Sequence, residues 1–174
     1  MPINNHGIPR LYILGLNSPQ SSDPRMALWP DPPGCAGHRL WSMVTEACGI
    51  TVRDWLRCTQ RVNLLSCTTL PRDYRGAARR RGEYLSALIQ GRTVVLLGTD
   101  VANALGHGAG PLEWGTRDWV MIPHPSGRNL AYNDPVFRAA VGILLSDLLL
   151  NCGLFPRDRE EPIITPWSNP KSSR

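Results

Sequence analysis

An amide and an imidazole, in two short polar segments far apart in the 174-residue chain, are the side chains best suited to hydrolytic chemistry. Asn17 lies in Gly15-Leu-Asn-Ser-Pro19, directly after one apolar run, and His124 opens the segment His124-Pro-Ser-Gly-Arg-Asn129 after another. An amide can orient an attacking water, and an imidazole can donate to a leaving group on which negative charge develops. Together the two groups suit hydrolysis of the bond between a sugar and a nitrogenous base.

The elements that must bring these segments together are strands of one sheet. Short apolar runs alternate with helical patterns, which predicts an α/β fold, a three-layer αβα sandwich with a central, mostly parallel four-stranded sheet. Both polar segments then follow the carboxyl end of a strand, where open α/β sheets bind their ligands. The predicted strands are Leu11 to Leu16, Gln60 to Leu65, Thr93 to Gly98 and Asp118 to Pro123.

Helices are predicted over Arg39 to Cys48, Tyr74 to Gln90, Thr99 to Leu105 and Val136 to Leu150. A further short helix should begin after Thr51, whose hydroxyl can cap it. The segments Pro30 to Gly37 and Gly106 to Gly115 are predicted loops because they are dense in Gly and Pro.

The length of the chain predicts a single domain, residues 1–153, followed by a tail, residues 154–174, rich in Pro, Ser and charge. The five cysteines show no paired spacing, which predicts a reduced, intracellular and cytoplasmic protein without a zinc knuckle or a disulfide framework. No apolar run is long enough to span a membrane. We expect a monomer.

Arginine carries almost all of the positive charge. Lys and Arg outnumber Asp and Glu by 19 to 14, and Lys171 is the only lysine. Guanidinium groups suit bidentate contacts with phosphate, but the same bias can reflect the base composition of the coding DNA. The helical cluster Arg75, Arg79, Arg80 and Arg81 is of a kind that usually forms a solvated face, and contact with phosphate is the alternative.

Each residue type in the two polar segments suits a separate task. Gly15 permits tight backbone geometry where its strand turns, and Asn17 can orient a water or simply cap a turn. Two prolines stiffen His124, so this segment is either the donor to a pyrimidine carbonyl or a rigid turn with a structural histidine. Ser126 can bond a phosphate oxygen, and Arg128 can enter a DNA duplex where a base has left.

The two segments resemble the paired active-site motifs of the uracil-DNA glycosylase superfamily. They are most similar to the single-strand-selective uracil-DNA glycosylase branch, whose motifs resemble Gly-Met-Asn-Pro-Gly and His-Pro-Ser-Pro-Arg-Asn. The resemblance implies that Asn17 positions the water, that His124 donates to a base carbonyl, and that Arg128 is the wedge that replaces the extruded base. Ser126 and Asn129 of the second motif are assigned to DNA contacts.

Two further residues, together with Gly15, are assigned to base binding by the same resemblance. Mismatch-specific thymine glycosylases share the Asn-bearing first motif, lack the His, and carry an aromatic residue under the extruded base; Trp29 matches it. Arg61-Val-Asn-Leu-Leu65 resembles the Asn-bearing strand of uracil-specific members, so Asn63 either reads the base edge or satisfies its own strand end.

The chain departs from the branch motifs at two places. Ser18-Pro19 stands where the branch has Pro-Gly, and Gly127 replaces a proline. These departures bear on the backbone course of the first loop and on the stiffness of the wedge.

The resemblance implies a monofunctional DNA glycosylase that hydrolyses the N-glycosidic bond of a flipped-out uracil or modified pyrimidine, in single- or double-stranded DNA, and leaves an abasic site. No metal or cofactor is expected, and no lysine near either segment could form a Schiff base. One alternative is a phage-defence enzyme that excises a bulky base such as glucosylated hydroxymethylcytosine. Another is a non-catalytic DNA-binding module. The last-ranked alternative is a nucleotide-binding enzyme that uses Gly98 to Gly106 as a phosphate loop. The glycine spacing of this segment is not a dinucleotide-binding fingerprint.

Overall fold

Four short apolar runs pair into one parallel sheet. The computed structural model describes residues 11–107 and 119–152 of the chain. Within them the strands are β1 (Leu11–Gly15), β2 (Thr59–Asn63), β3 (Val94–Leu97) and β4 (Trp119–Ile122), in the order β2-β1-β3-β4. Every pairing is parallel, which confirms the predicted α/β class and its central four-stranded sheet.

Helices cover both faces of this sheet because alternate strand residues point to opposite sides. Leu11, Ile13, Val95 and Ile122 belong to one buried cluster, and Leu14, Val94, Leu96 and Met121 belong to a second. The first cluster is completed by α1 (Ala36–Cys48), α2 (Val52–Cys58) and α5 (Pro135–Asn151), and the second by α3 (Tyr74–Ile89) and α4 (Thr99–Ala104). The three-layer arrangement is therefore confirmed.

The helix starts follow from local capping. Thr51 Oγ1 accepts from the Asp54 backbone N–H at 3.1 Å, as predicted, and Asp134 caps α5 by accepting from the Val136 N–H at 2.9 Å. The prediction that residues 30–37 are all loop was wrong for Ala36 and Gly37, which form the first turn of α1. The reason is an unusual cap, because the Cys35 thiol accepts from the His38 N–H at 3.3 Å.

The strands end one or two residues before the predicted carboxyl limits, yet the pairing of β1 with β2 extends further. The Leu64 N–H donates to the Gly15 carbonyl at 2.9 Å, and the Leu65 N–H donates to the Leu16 carbonyl at 2.8 Å. These bonds hold the first polar loop beside the end of β2.

Some predicted features lie outside the described residues. They are the tail over residues 154–174 and most of the loop from Gly106 to Gly115. Of the helices within residues 11–107 and 119–152, none combines the length and the apolar character that a bilayer crossing needs. Within these residues no disulfide joins any of the five cysteines.

Candidate functional site

A cavity of about 420 Å³ lies between the loops that follow β1 and β4. Four of the predicted site residues line it: Asn17, Trp29, His124 and Ser126. Two loops from strands separated by β3 therefore converge on one space, at the edge where parallel sheets bind ligands. The volume falls in the range of about 300–1,000 Å³ that proteins use for small-molecule sites.

The amide of Asn17 has a defined orientation. Its Nδ2 donates to the backbone carbonyl of Cys67 at 3.2 Å, across from the end of β2. One N–H of the amide is engaged in this bond, and no hydrogen bond among the described residues engages Oδ1, which is therefore available as an acceptor at the cavity that Asn17 lines. An acceptor on a half-buried amide is the group required to hold a water by one of its O–H bonds.

The backbone at His124 is held by three hydrogen bonds. The His124 carbonyl accepts from the Ser126 N–H at 2.8 Å and from Asn129 Nδ2 at 3.2 Å. The buried Tyr132 hydroxyl donates to the carbonyl of Pro123 at 2.6 Å. Within the described ranges no hydrogen bond engages the His124 ring itself, so the ring nitrogens are available to a ligand.

Burial lowers the pKa of His124 below its ordinary value of 6.5. The apolar surroundings disfavour the charged imidazolium, since transfer of a charge from water costs more than transfer of the neutral ring. The imidazole is therefore neutral at pH 7 and has one N–H to donate. A neutral donor is the form that the sequence prediction requires.

This lowered pKa makes stability depend on pH. The unfolded chain binds a proton at a pKa of about 6.5, while folded His124 resists protonation, so the free energy of unfolding should fall as the pH drops below about 6.5. Urea unfolding from pH 7.5 to 5.5 measures the loss, which should be smaller for His124→Gln. Burial also lowers the pKa of His107, so His107→Gln separates its share. Equal pH dependence in wild type and His124→Gln would contradict the assignment.

Trp29 forms a wall of the cavity and is fixed from two sides. The Cys35 thiol donates to its carbonyl at 3.2 Å, so the cap of α1 also holds the Trp29 backbone. The Arg61 guanidinium lies over the indole, 5.4 Å from the ring centroid. One face of the ring is thus covered by a cation, in the geometry of a cation–π contact.

Gly15 and Asn63 lie side by side at the carboxyl ends of β1 and β2, and neither lines the cavity. They are register partners in β1 and β2, and a Cβ on Gly15 would lie 2.5 Å from Asn63 Oδ1. A larger residue at position 15 would force that oxygen to move. The oxygen is buried and has no hydrogen-bond partner among the described residues. Asn63 is not among the residues that line the cavity, because it lies level with Gly15 and not with Asn17. Its role in reading a base stays a prediction.

The last two residues of the His124 segment differ in their surroundings. Arg128 is exposed and does not line the cavity, but it follows Gly127, which does. The Asn129 amide is engaged within the protein, since Nδ2 donates to the His124 carbonyl and Oδ1 accepts from the Ala131 N–H at 3.2 Å. Asn129 therefore holds the loop, and its predicted DNA contact is untested.

Sequence reasoning missed two contributors to the site. The Cys67 carbonyl that orients Asn17 is a backbone group, and no residue type could have revealed it. Arg39 is half-buried, and its Nη2 lies 3.3 Å from where a Cβ on Gly127 would be. This contact joins two segments distant in the chain, and no local sequence pattern indicates it.

A second cavity, of about 330 Å³, lies on the other side of His124 and reaches Gly98 and Asp100. Neither Asn17 nor Trp29 lines it, so the first cavity is where the predicted residues meet. Among the described residues, no three His, Cys, Asp or Glu side chains gather as a metal site would require.

Models of known protein families, curated proteins and solved structures were compared with this chain, and none of them matches it.

Proposed function

We propose that this chain is a monofunctional DNA glycosylase that hydrolyses the N-glycosidic bond of an extruded pyrimidine nucleotide. The observation that supports this most is the shared cavity, lined by Asn17 from the loop after β1 and by His124 from the loop after β4. A water-orienting acceptor and a neutral donor face one space with an aromatic wall. This is the donor and acceptor set that loss of a base from a sugar requires.

The reaction separates charge, and the two side chains act at its two ends. As the bond from C1′ to the base nitrogen breaks, its electron pair leaves with the base and positive charge develops on the sugar. The water held by Asn17 Oδ1 forms the new bond to C1′ and releases a proton to solvent. The His124 N–H donates to a carbonyl of the base, which stabilises its anion until it is protonated.

Trp29 is the stacking platform in this proposal. Arg61 covers one face of the indole, so an extruded base would stack on the other face. Rotating a nucleotide out of a duplex costs a few kcal/mol, and stacking of a base on an aromatic ring contributes about 1–3 kcal/mol. Ser126, at the cavity wall, would bond a phosphate, and exposed Arg128 would fill the space the base leaves.

The volume of the cavity also favours a second substrate. About 420 Å³ is more than a bare pyrimidine ring needs, and polar side chains such as Gln20, Ser21 and Asp31 lie along its outer part. Such groups can bond the hydroxyls of a sugar substituent. A pyrimidine carrying a bulky polar group, such as the glucosylated hydroxymethylcytosine of some phage DNA, is therefore the alternative substrate.

The test is base release measured side by side on uracil oligonucleotides, single- and double-stranded, and on glucosylated phage DNA. Free base is detected by chromatography and the abasic site by alkaline cleavage. Release from either DNA supports the glycosylase and identifies the substrate. DNA binding without an abasic product from any of them would favour a non-catalytic module instead.

A further inference from the structure

A basic cleft of about 430 Å³ adjoins the cavity that contains Asn17 and His124. Gly34 lines both spaces, so the cleft begins where the cavity wall ends. Helices α1 and α5 and the turn before α5 supply its polar side chains, which are His38, Arg39, Ser42, Asn133 and Arg138. The proposed reaction uses none of them.

Arg39 stands between the two loops that form the cavity. Its Nε donates to the Gly34 carbonyl at 3.1 Å, and its Nη2 packs against Gly127 of the His124 segment. Any Cβ at position 127 would lie 3.3 Å from that nitrogen, so a larger residue there would require the Arg39 side chain to shift slightly.

The donors in the cleft exceed its acceptors. Arg138 Nη2 donates to both carboxylate oxygens of Glu46, at 2.8 and 3.1 Å, so this acid offsets one of the two guanidinium charges. Asp134 is engaged as the cap of α5. The Ser42 hydroxyl also donates to Glu46 Oε1, at 3.5 Å. The charge of Arg39 and the Asn133 amide remain, and guanidinium with amide donors suits the oxygens of a phosphate ester.

We propose that this cleft binds a phosphodiester of the same DNA strand, within two nucleotides of the extruded base. The inference rests on the proposed function, because the cleft is useful only if a nucleotide occupies the adjoining cavity. The shared border at Gly34 places the phosphate next to that nucleotide. Arg39 contacts both loops that carry the reacting groups, at Gly34 and at Gly127, so a phosphate bound to Arg39 would lie next to both loops.

A methylphosphonate scan tests this directly. Oligonucleotides with a stable abasic-site analogue represent the product common to all candidate substrates. In each, one phosphate near that site is replaced by the uncharged methylphosphonate. Binding by wild type and by Arg39→Gln is measured by fluorescence anisotropy. At one phosphate the replacement should weaken wild-type binding about tenfold, and it should weaken Arg39→Gln binding less than about twofold.

Other variants check that charge loss at the cleft is the cause. We call the effect of the methylphosphonate on binding by a given variant its coupling to that phosphate. Arg138→Gln should lose this coupling as Arg39→Gln does. Arg39→Lys should keep part of it, because an ammonium group lacks the planar fork of a guanidinium. Arg92→Gln is the matched control, since exposed Arg92 precedes the amino end of β3, whereas the cavity lies beyond the carboxyl ends of the strands. The slope of log K against log salt should fall by about 0.7–0.9 for Arg39→Gln and should not change for Arg92→Gln.

The outcomes separate this inference from the proposed function. If methylphosphonates weaken DNA binding equally in wild type and Arg39→Gln at every position, and base release is intact, phosphate binding in the cleft is contradicted. The glycosylase proposal is then unaffected. Coupling without base release from any DNA would support phosphate binding in the cleft and would contradict the proposed glycosylase activity. If inorganic phosphate raises the melting temperature of wild type but not of Arg39→Gln, while the scan shows no coupling, the cleft binds a free phosphate ester and not DNA.

Discussion

Asn17→Ala is expected to lower the single-turnover rate of base release by about 10²–10⁴-fold, with DNA binding within about threefold of wild type. The alanine removes the acceptor that holds the attacking water and the bond from Nδ2 to the Cys67 carbonyl. The charge and the stacking surface of the cavity are unchanged, so the loss should fall on the chemical step. Rapid-quench measurement of alkali-sensitive product gives this rate.

A matched control for Asn17 is available on α4. Asn103→Ala makes the same chemical change at an exposed position that does not line the cavity. It should leave the rate of base release and the unfolding midpoint unchanged. If Asn17→Ala keeps more than a third of the wild-type rate, another group positions the water and the catalytic assignment is wrong.

His124→Ala is the second large effect, an expected loss of about 10²–10³-fold in the same rate. The imidazole stabilises charge on the departing base, so the deficit should shrink for 5-fluorouracil, which leaves more readily as an anion. A histidine that only shaped the loop would produce the same deficit for both bases. Because burial keeps His124 neutral, the wild-type rate should be level between pH 7 and 8.

His107 provides the control for the histidine. It stacks on Trp119, the first residue of β4, with ring centroids 4.3 Å apart, whereas His124 follows the last part of the same strand. His107→Ala therefore removes an imidazole near the amino end of β4, whereas His124 lies beyond its carboxyl end. It should leave base release unaltered, and a loss equal to that of His124→Ala would point to general destabilisation.

The helix starts show why capping was predictable only in part. Thr51 was recognisable as a cap because its side chain bonds to a backbone group three residues away. Cys35 follows the same local geometry with a thiol, a residue type that capping preferences do not favour. The start of α1 was therefore predicted three residues late.

Local sequence determined the strands, most of each helix, and the placement of Asn17 and His124 just beyond strand ends, because period, caps and turns depend on neighbours a few residues apart. Tertiary structure alone decided which side chains share the cavity. Trp29 lines the cavity, whereas Asn63 lies beside Gly15 and does not. The Asn17 amide donates to the Cys67 carbonyl, and Arg39 packs against Gly127. These contacts join residues distant in the chain, and they depend on sheet order and on helix packing, for which no short stretch of sequence carries a signal.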